Sequence, residues 1–486
     1  MKKKMLCLVA LAGFAMTLAA CGNTTPVIPD TGNDTKNIMK NETQITLWSI
    51  TGQNNRPQLE SYIAGFKEIE PNITINNVYQ SGSYNELESM VSKGFLGDNY
   101  PDIVQAYPDN VANYIDYGKA VKLDSYIDNA EYGWNAFDKT DIIEAFQDEG
   151  KEYTVSGTYS VPYSKSTEEM FYNADVLIGL DLSKFDKTIN GGAPLNAAYF
   201  DNLTWEELFD KLCPAIKAYD DSLPIDQKIL KTDQQYHSIF AYDSDDNLFI
   251  TLAKQYGYGY TSVKDGKGSI DFNNDGMKGL LKKFKSAYDK GYFLTKGSAG
   301  DNYTNTYFTL QNTLFSVGST GGVKYQFDAA HPMNVGVARI PQASTSNPWT
   351  INQGPSLTIL DHGSEDRKLA SWLFYKYMTN ETNSLDWAIN SGYMGIRNSN
   401  YESDEYKEAV SVENKQEKTL DILLAKSASY LPKITDNMFV SPAFKGSSQT
   451  RTQVGGLMTS VLTSNGSDAT IESLFKKAED NSKLAL

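Results

Sequence analysis

Three segments of this 486-residue chain have residue types and spacing that could do chemistry. The first, Asp271-Phe-Asn-Asn-Asp275-Gly276, begins like an EF-hand calcium loop. That loop needs a bidentate Glu six residues after the glycine, and this chain has Lys282 there. The segment is therefore predicted to be an Asx-rich turn before a helix and not a metal site.

The acidic stretch Asp243-Ser-Asp-Asp-Asn247 is the second of these segments. A solvated turn is the ordinary role of such residues, and a position facing a ligand is the alternative. The chain has 60 Asp and Glu residues, so chance pairs of carboxylates are certain to occur. A surface glycoside hydrolase that uses a carboxylate pair stays open as the enzyme alternative, because distance and not sequence spacing defines such a pair.

The third segment, Val317-Gly-Ser319-Thr-Gly321, is similar to the nucleophile elbow of α/β-hydrolases. Its first position is Val where that motif has Gly, and none of the three His residues is placed persuasively as its base. We therefore expect no catalytic serine and no enzyme activity from this loop. Glycine-rich loops at strand ends expose backbone N–H groups, so Gly318–Gly322 could instead bind hydroxyl groups or anions.

The composition argues against further classes of function. The formal net charge of −16 disfavours a nucleic-acid partner, because phosphate binding needs a basic face, and fits a soluble monomer. His237, His331 and His362 are widely spaced, so we expect no multi-histidine metal site, and we expect no cofactor. The 31 tyrosines permit a ligand cleft lined by amphipathic rings.

The N-terminus has the pattern of a secretory signal. A basic stretch (residues 2–4) precedes an almost wholly apolar stretch (5–18) and two alanines. Cys21 follows directly, as in a bacterial lipobox, where this cysteine is acylated and becomes the mature N-terminus. Residues 22–42 are polar and rich in Pro, Gly, Asn and Thr, which predicts a flexible tether. We expect a lipid-anchored protein on the extracellular face of the cell membrane.

Alternating strands and helices follow the tether. Strand patterns at Ile45–Trp48, Ile73–Tyr79 and Pro101–Val104 are separated by helical patterns at Gln58–Ile69 and Tyr84–Phe95. This β-α-β-α-β order predicts an open parallel sheet covered by helices.

The second half of the chain gives fewer clear patterns. The segment Glu152–Tyr163 is strand-like. Thr204-Trp-Glu-Glu207 matches a capping box and opens a helix to about Tyr219, with Trp205 predicted to lie in the core. Met277–Lys290 is an amphipathic helix, and the last clear helix runs from about Ile471 to Ala478.

Several blocks, taken in order, resemble family 1 extracellular solute-binding proteins of ABC importers. These blocks are ITLWS (45–49), FKEIEPNITI (66–75), PDIVQAYPDNVANYIDYGKAVKLDSYI (101–127), VPYSKSTEEMFYNADVL (161–177), LTWEELFDKL (203–212), GSTGG (318–322), VGVARIPQ (335–342), NQGPSLTIL (352–360), SWLFYKYMTN (371–380) and DWAINSGYMGIRNS (386–399). The resemblance implies an α/β fold of the periplasmic-binding-protein type, with two lobes and a ligand cleft between them. It places the N-lobe at 43–164 plus 336–383 and the C-lobe at 165–335 plus 384–486.

Within this family the positional match is best to the glycerol-3-phosphate-binding type, which implies a set of ligand contacts. They fall on Tyr84, Tyr107, Ser166, Ser319, Gly354, Tyr393 and Arg451. The acidic residue expected after Tyr107 is replaced by Pro108, and Asp109 comes next. An indole expected near Tyr242 is missing, so Tyr242 or Asp243 could fill its space.

These residue types suit a polar ligand. Arg451 could direct two N–H groups onto a phosphate or vicinal hydroxyls, or it could pair with a carboxylate of the protein. The resemblance implies a receptor that closes by a hinge and delivers a carbohydrate, or a sugar or glycerol phosphate, to an ABC permease. The choice between neutral sugar and phosphate stays open, with the glycoside hydrolase as the enzyme alternative and an adhesin as a third class.

Overall fold

A computed structural model describes residues 37–232, 234–412 and 417–486 of the chain. The predicted signal, Cys21 and most of the predicted tether lie outside these residues. Among the residues described, we find no helix that combines the length and the apolar character needed to cross a membrane.

Strands and helices alternate along most of the described chain. The strands are β1 (Thr43–Ser49), β2 (Ile73–Tyr79), β3 (Ile103–Ala106), β4 (Val161–Pro162), β5 (Glu168–Asn173), β6 (Phe240–Tyr242), β7 (Thr261–Lys264), β8 (Lys267–Ile270), β9 (Phe293–Thr295), β10 (Phe315–Ser319), β11 (Val335–Ala338), β12 (Thr350–Ile351), β13 (Ser356–Ile359) and β14 (Met438–Phe439). The α-helices are α1 (Arg56–Ile69), α2 (Tyr84–Gly94), α3 (Pro108–Asp116), α4 (Asp124–Ile127), α5 (Ala136–Asp141), α6 (Glu144–Glu149), α7 (Ala174–Leu177), α8 (Ala197–Asp201), α9 (Trp205–Glu207), α10 (Cys213–Ser222), α11 (Asp245–Tyr256), α12 (Asp275–Asp289), α13 (Thr304–Thr309), α14 (Glu365–Met378), α15 (Glu381–Ser391), α16 (Asn398–Glu402), α17 (Asp404–Val410), α18 (Leu420–Tyr430), α19 (Ser447–Thr463) and α20 (Asp468–Lys483).

The first lobe is built on a five-stranded sheet with the order β2-β1-β3-β13-β4. Strands β1, β2 and β3 are parallel, as the β-α-β-α-β pattern predicted, with Thr43 opposite Ile73 and Leu47 opposite Ile103. Strand β13 returns from far along the chain and pairs antiparallel with β3 and β4. Helix α14 packs against β1, so the late segment 356–378 completes this lobe.

The second lobe is built on a sheet with the order β11-β5-β10-β6-β9. Strands β10, β6 and β9 are parallel, whereas β5 is antiparallel to both β10 and β11. Helices α11, α12, α19 and α20 pack together beside this sheet. Its apolar core contains Trp205, whose Nε1 donates to Gln255 Oε1 at 2.9 Å, so the prediction of a core tryptophan is confirmed. Cys213 at the start of α10 is in the same core, fully buried and with a free thiol.

The chain passes between the sheets at two short connections. Residues 163–167 join β4 to β5, and residues 339–355 join β11 to β13. The expected lobe boundary at residue 336 falls within β11, which pairs with β5 of the second sheet. The expected boundary at residue 384 falls within α15, whose Trp387 packs into the first-lobe core.

Two expectations about secondary structure are wrong. The strand-like segment Glu152–Tyr163 pairs with a neighbouring strand only at β4, because its backbone bonds locally, with Tyr159 N–H donating to Gly150 C=O at 2.9 Å. The acidic stretch from Asp243 is not a solvated turn, because Asp245 opens α11 and accepts hydrogen bonds from Thr295 Oγ1 and the Gly297 N–H.

The segment that resembled a calcium loop has the structure of the predicted turn. Asn274 is the N-cap of α12, and its side chain accepts a hydrogen bond from the Met277 N–H at 2.9 Å. In the described part of the chain, no group of three or more His, Cys, Asp or Glu side chains is placed to hold a metal ion.

Candidate functional site

Aromatic and polar side chains gather at the carboxyl ends of the parallel strands in both sheets. In the first lobe, Tyr84 is the first residue of α2 and Tyr107 the N-cap of α3, just after β2 and β3. In the second lobe, β6 ends at Tyr242 and β10 at Ser319. This edge is where open α/β sheets bind ligands, since the loops that follow the strands converge there.

Three of the predicted tyrosines form one cluster. The ring centroids of Tyr84 and Tyr107 are 4.4 Å apart, with a tilt of 36°. Tyr393 lies near both rings, since its hydroxyl is among the groups that raise the pKa of Tyr84 and of Tyr107. Burial raises the pKa of all three hydroxyls, that of Tyr393 to about 12, so each stays protonated at physiological pH. The cluster therefore offers neutral O–H groups and half-buried ring faces.

An aromatic stack continues from this cluster into the first-lobe core. The ring of Tyr393 stacks on Trp387 at 5.9 Å and 12°, and Trp387 stacks on Tyr163 at 5.3 Å and 25°. Tyr393 also lies against Gly321, where an added Cβ would be 2.6 Å from the tyrosine ring. The glycine-rich loop after β10 thus lets this ring approach, a role that the sequence interpretation did not assign to it.

Arg451 is bound to the protein itself. Its Nε donates to Asp109 Oδ2 at 2.7 Å, and its Nη1 donates to Asn247 Oδ1 at 2.6 Å. Nη1 also lies 3.5 Å from Asp246 Oδ2, and Nη2 lies 3.4 Å from Ser441 Oγ. Arg451 comes from α19 of the second lobe and Asp109 from α3 of the first, so this buried ion pair joins the lobes. Of the two roles open in the sequence, pairing with a carboxylate is the one observed.

A buried polar network lies next to this arginine. The Tyr242 hydroxyl and Asn247 Nδ2 both donate to the carboxyl group of Glu168. The same amide donates to Gln353 Oε1 at 2.5 Å, which reaches the connection between β11 and β13. Burial raises the pKa of Glu168 to about 8, although the hydrogen bonds from Tyr242 and Asn247 lower it. Tyr242 itself is fully buried and bonded to Glu168, so its hydroxyl faces a protein group.

Ser166, Ser319 and Gly354 lie together where the two connections meet. Ser319 Oγ donates to Ser166 Oγ at 3.3 Å, and Ser166 and Gln353 exchange two backbone hydrogen bonds. Gly354 has φ of +84°, and a Cβ there would be 2.0 Å from the carbonyl oxygen of Ser164. Only glycine fits this position, so the predicted Gly354 is required by the backbone.

A buried ion pair lies beside Ser166 and Gly354, where the two connections meet. Lys165 Nζ donates to Glu149 Oε1 at 2.6 Å and to the Gly354 carbonyl at 2.9 Å. The other oxygen of Glu149 accepts from Asn352 Nδ2 at 2.7 Å. Both connections between the two sheets are thereby tied to α6 of the first lobe.

Asp243 is hydrogen-bonded within the second lobe. Its Oδ1 accepts from the Thr304 N–H at 2.9 Å, at the start of α13. Burial raises the pKa of Asp243 to about 6, against the effect of this hydrogen bond. The structure thus brings most predicted residues to one edge of each sheet, and it leaves Asp243 bonded within the second lobe.

A polar groove of about 530 Å³ opens between the lobes next to Tyr84, within the usual size range of ligand pockets. Its lining includes Ser83, Asn85 and Glu86 from the first lobe, and Ser448, Gln449 and Thr452 from the second. Asn85 spans it, since Nδ2 donates to Thr452 Oγ1 at 2.9 Å and Oδ1 accepts from Ser448 Oγ at 3.1 Å. Amides and hydroxyls of both lobes therefore face each other across the groove.

Sequence reasoning missed Glu168 and Gln353, and it named Asn247 only as the end of the acidic stretch for which a position facing a ligand was the alternative. One signal was available for Glu168, because two consecutive glutamates open the strand Glu168–Asn173, whose six residues are all buried. A charged side chain in a buried strand is rarely structural filling, since it needs polar partners. No comparable signal marks Gln353.

Comparison with known proteins agrees with this architecture. Residues 61–414 match the family model described as bacterial extracellular solute-binding protein. Comparison with curated protein sequences gives no match. Among solved structures, UgpB from Mycobacterium tuberculosis in complex with glycerophosphocholine is similar, at 18% identity and a TM-score of 0.69, over 91% of this chain and 98% of that one.

Two further solved structures are similar. Maltose-bound MalE3 of T. maritima aligns at 17% identity and a TM-score of 0.67, over 91% of this chain and 100% of that one. Lmo0181 from Listeria monocytogenes, in complex with cycloalternan, aligns at 15% identity and a TM-score of 0.65, over 91% and 99%.

These structural similarities establish the two-lobe, periplasmic-binding-protein-like fold that the sequence predicted. The family and these neighbours are binding proteins, which supports a role other than catalysis and gives the glycoside hydrolase alternative no support. The match to the family model covers well over half of the chain. The chain therefore belongs to the bacterial extracellular solute-binding proteins.

Proposed function

We propose that this chain is the lipid-anchored receptor of an ABC importer and that its ligand is a neutral carbohydrate. The observation that carries the proposal is the cluster of Tyr84, Tyr107 and Tyr393 at the edge where the two lobes meet. Aromatic rings can pack against the apolar face of a sugar ring, while their hydroxyls bond its polar rim. The solved neighbours support this, since MalE3 is bound to maltose and Lmo0181 to cycloalternan.

The polar groups around the cluster suit hydroxyl ligands. The groove beside Tyr84 is lined by amides and hydroxyls, which can both donate to and accept from a saccharide, and by the charged side chains of Glu86, Glu88, Asp116 and Lys445.

The state of Arg451 favours a neutral ligand over a phosphate. An arginine that receives a phosphate usually presents two N–H groups to it. Here the guanidinium is already bonded to Asp109 and Asn247, with Asp246 close by. UgpB was solved in complex with glycerophosphocholine, so a phosphodiester is the competing ligand class and is tested beside the saccharides.

Membrane attachment and delivery rest on the sequence. We propose acylation of Cys21, which would tether the lobes to the outer face of the membrane through residues 22–42. Closure of the lobes around the sugar would present a distinct surface to the permease. The carboxylates of the site then bind and orient hydroxyls, with no group assigned to catalysis.

The test is thermal melting and calorimetry of the protein beginning at Asn23, with glucose, maltose, maltotriose, glycerol-3-phosphate and glycerophosphocholine as ligands. A ligand at 100 times its Kd adds about 2.7 kcal/mol to the free energy of unfolding, which gives a clear shift in Tm. We expect shifts with neutral saccharides. A shift with glycerol-3-phosphate or glycerophosphocholine alone would overturn the proposal, as would turnover of a chromogenic glycoside that is lost on mutation of Glu168.

A further inference from the structure

We propose that Asp109 is a specificity residue that keeps anionic ligands out of the cleft by occupying the guanidinium of Arg451. The inference deepens the proposed function and rests on it, because it concerns selection among ligands of the same site. It starts from two facts: the pair is short, at 2.7 Å, and both residues are buried, with 4% of Asp109 and 7% of Arg451 exposed.

Each nitrogen of the guanidinium has a protein partner. Nε donates to Asp109, Nη1 donates to Asn247, and Nη2 lies 3.4 Å from Ser441 Oγ. A phosphate that took two N–H groups of Arg451 would have to displace at least one of these groups. The carboxylate of Asp109 is held by the fold, so it loses little freedom when it pairs, whereas a free anion loses all of its translational freedom.

The charge around the arginine also disfavours an added anion. Asp109 and Asp246 are both within 3.5 Å of the guanidinium, so two carboxylates face one positive group. A ligand anion near this arginine would be repelled by both, and the repulsion is strong because the pair is largely removed from water. In contrast, a sugar hydroxyl can accept from Arg451 or donate to Asp109 without adding charge.

The pairing also requires that the lobes meet. Asp109 is in α3 of the first lobe and Arg451 is in α19 of the second. The carboxylate of Asp109 therefore contacts Arg451 only when the lobes come together. A phosphate bound to Arg451 in an open form would therefore block closure. Exclusion of anions and closure on neutral ligands are then two results of one contact.

The experiment measures binding of inorganic phosphate and of glycerol-3-phosphate by calorimetry to the protein beginning at Asn23. We expect no saturable binding to the wild type. Asp109→Asn, which frees the guanidinium while keeping the shape of the side chain, should bind glycerol-3-phosphate saturably, with a Kd at least tenfold below the highest concentration at which the wild type shows no binding. Asp109→Glu, which keeps the charge, should exclude both anions as the wild type does.

Two further variants show whether Arg451 is responsible. The double variant Asp109→Asn/Arg451→Gln should lose the gained binding. Asp102→Asn is a matched control, because Asp102 is buried and pairs with Arg367 at 2.6 Å within the first lobe, away from the cleft. It should not gain phosphate binding. If Asp109→Asn does not fold, as judged by its circular dichroism, Asp246→Asn replaces it and should give a smaller gain.

Several outcomes would overturn the inference. These are saturable binding of glycerol-3-phosphate to the wild type, no gain in the folded Asn variants, or an equal gain in Asp102→Asn. The proposed function fails separately. If Asp109→Asn gains phosphate binding while no saccharide binds to the wild type, the role of Asp109 stands and the carbohydrate ligand is wrong.

Discussion

Asp109 and Arg451 are 342 residues apart in the chain, and their side chains meet at 2.7 Å between the two lobes. Each belongs to a helix packed on its own lobe, α3 on β3 and α19 on α11. The pair therefore links the two lobes. Breaking such a pair by removing one partner is costly, because the other charge stays buried without compensation.

Arg451→Gln should shift the free protein towards an open arrangement of the lobes. The unpaired Asp109 carboxylate costs about 3–5 kcal/mol if it stays buried, and separation of the lobes returns it to water. Small-angle X-ray scattering should show a larger radius of gyration than in the wild type. Lys445→Gln is the control, since Lys445 and Asp116 form an exposed pair at 3.3 Å next to the same helices and contribute little. Equal radii for all three proteins would contradict this prediction.

Tyr393→Ala should weaken saccharide binding by about tenfold, which corresponds to about 1.4 kcal/mol. The change removes one ring of the tyrosine cluster and the support that Trp387 receives from it. Calorimetry with the saccharide that shifts Tm most gives the comparison. Tyr258→Ala is the control, because Tyr258 stacks on Tyr256 in the second lobe and packs beside Gly276. An effect of the same size in both variants would mean that the ring of Tyr393 is not a ligand contact.

Glu169→Gln should be more favourable to stability, relative to the wild type, at pH 8 than at pH 5. Burial raises the pKa of Glu169 to about 8, against the hydrogen bond from Ser427 Oγ. The folded state holds this proton more tightly than the unfolded chain does. The protonated carboxyl group therefore contributes its full stabilisation below about pH 4.5, the ordinary pKa of Glu, and this stabilisation is lost as the pH rises through 8.

The amide in Glu169→Gln does not titrate, so the variant escapes that loss. The difference in Tm between variant and wild type should grow by at least about 2 °C from pH 5 to pH 8. Glu68→Gln serves as the control, since Glu68 is exposed on α1. A difference in Tm that stays constant with pH would show that Glu169 ionises freely in the folded protein.

Gly354→Ala should destabilise the protein by about 3 kcal/mol or more. A Cβ at this position would overlap the carbonyl oxygen of Ser164 and lie 2.7 Å from the Ser166 nitrogen, in addition to the strain at positive φ. Gly363→Ala separates the two effects, because its φ is +77° and no heavy atom lies within 4 Å of the added group. It should cost only about 1 kcal/mol. Denaturant unfolding of both variants measures the loss of unfolding free energy. Equal losses in the two variants would show that the close contact at Gly354 has no effect.

Much of the fold could be predicted because its signals are local. The first three strands and their helices have clear periodicity, and the parallel order follows from their alternation. The placement of Tyr84, Tyr107 and Ser319 also follows from a local fact, since each lies at the carboxyl end of a strand. The family resemblance then implied ligand contacts at residues that lie together at these strand ends.

Helix α19 shows why the rest escaped prediction. Its sequence is rich in Ser and Thr and contains Gly455-Gly456, and each glycine lowers intrinsic helix stability by about 1 kcal/mol. Packing overrides this preference: a Cβ on Gly455 would be only 3.2 Å from the Asp246 Cβ, so the glycine lets α19 lie close to α11. The helix that carries Arg451 is thus determined by a contact with a distant segment.

The partners of Arg451 escaped prediction for the same reason. The sequence contains Asp109, Asp246 and Asn247, but no spacing between them indicates that they meet at one guanidinium. The deviation at Pro108 was visible as a misfit to the resemblance. Its explanation, an internal carboxylate one residue later, needed the geometry of both lobes.

The buried thiol of Cys213 makes this protein well suited to optical reporting. Burial raises the pKa of that thiol well above its usual range, so it reacts slowly with maleimide dyes. A protein that begins at Asn23 has no other native cysteine. One cysteine introduced at Asn85 or Thr452, on either wall of the groove, would then carry a single fluorophore whose brightness follows the opening and closing of the lobes in solution.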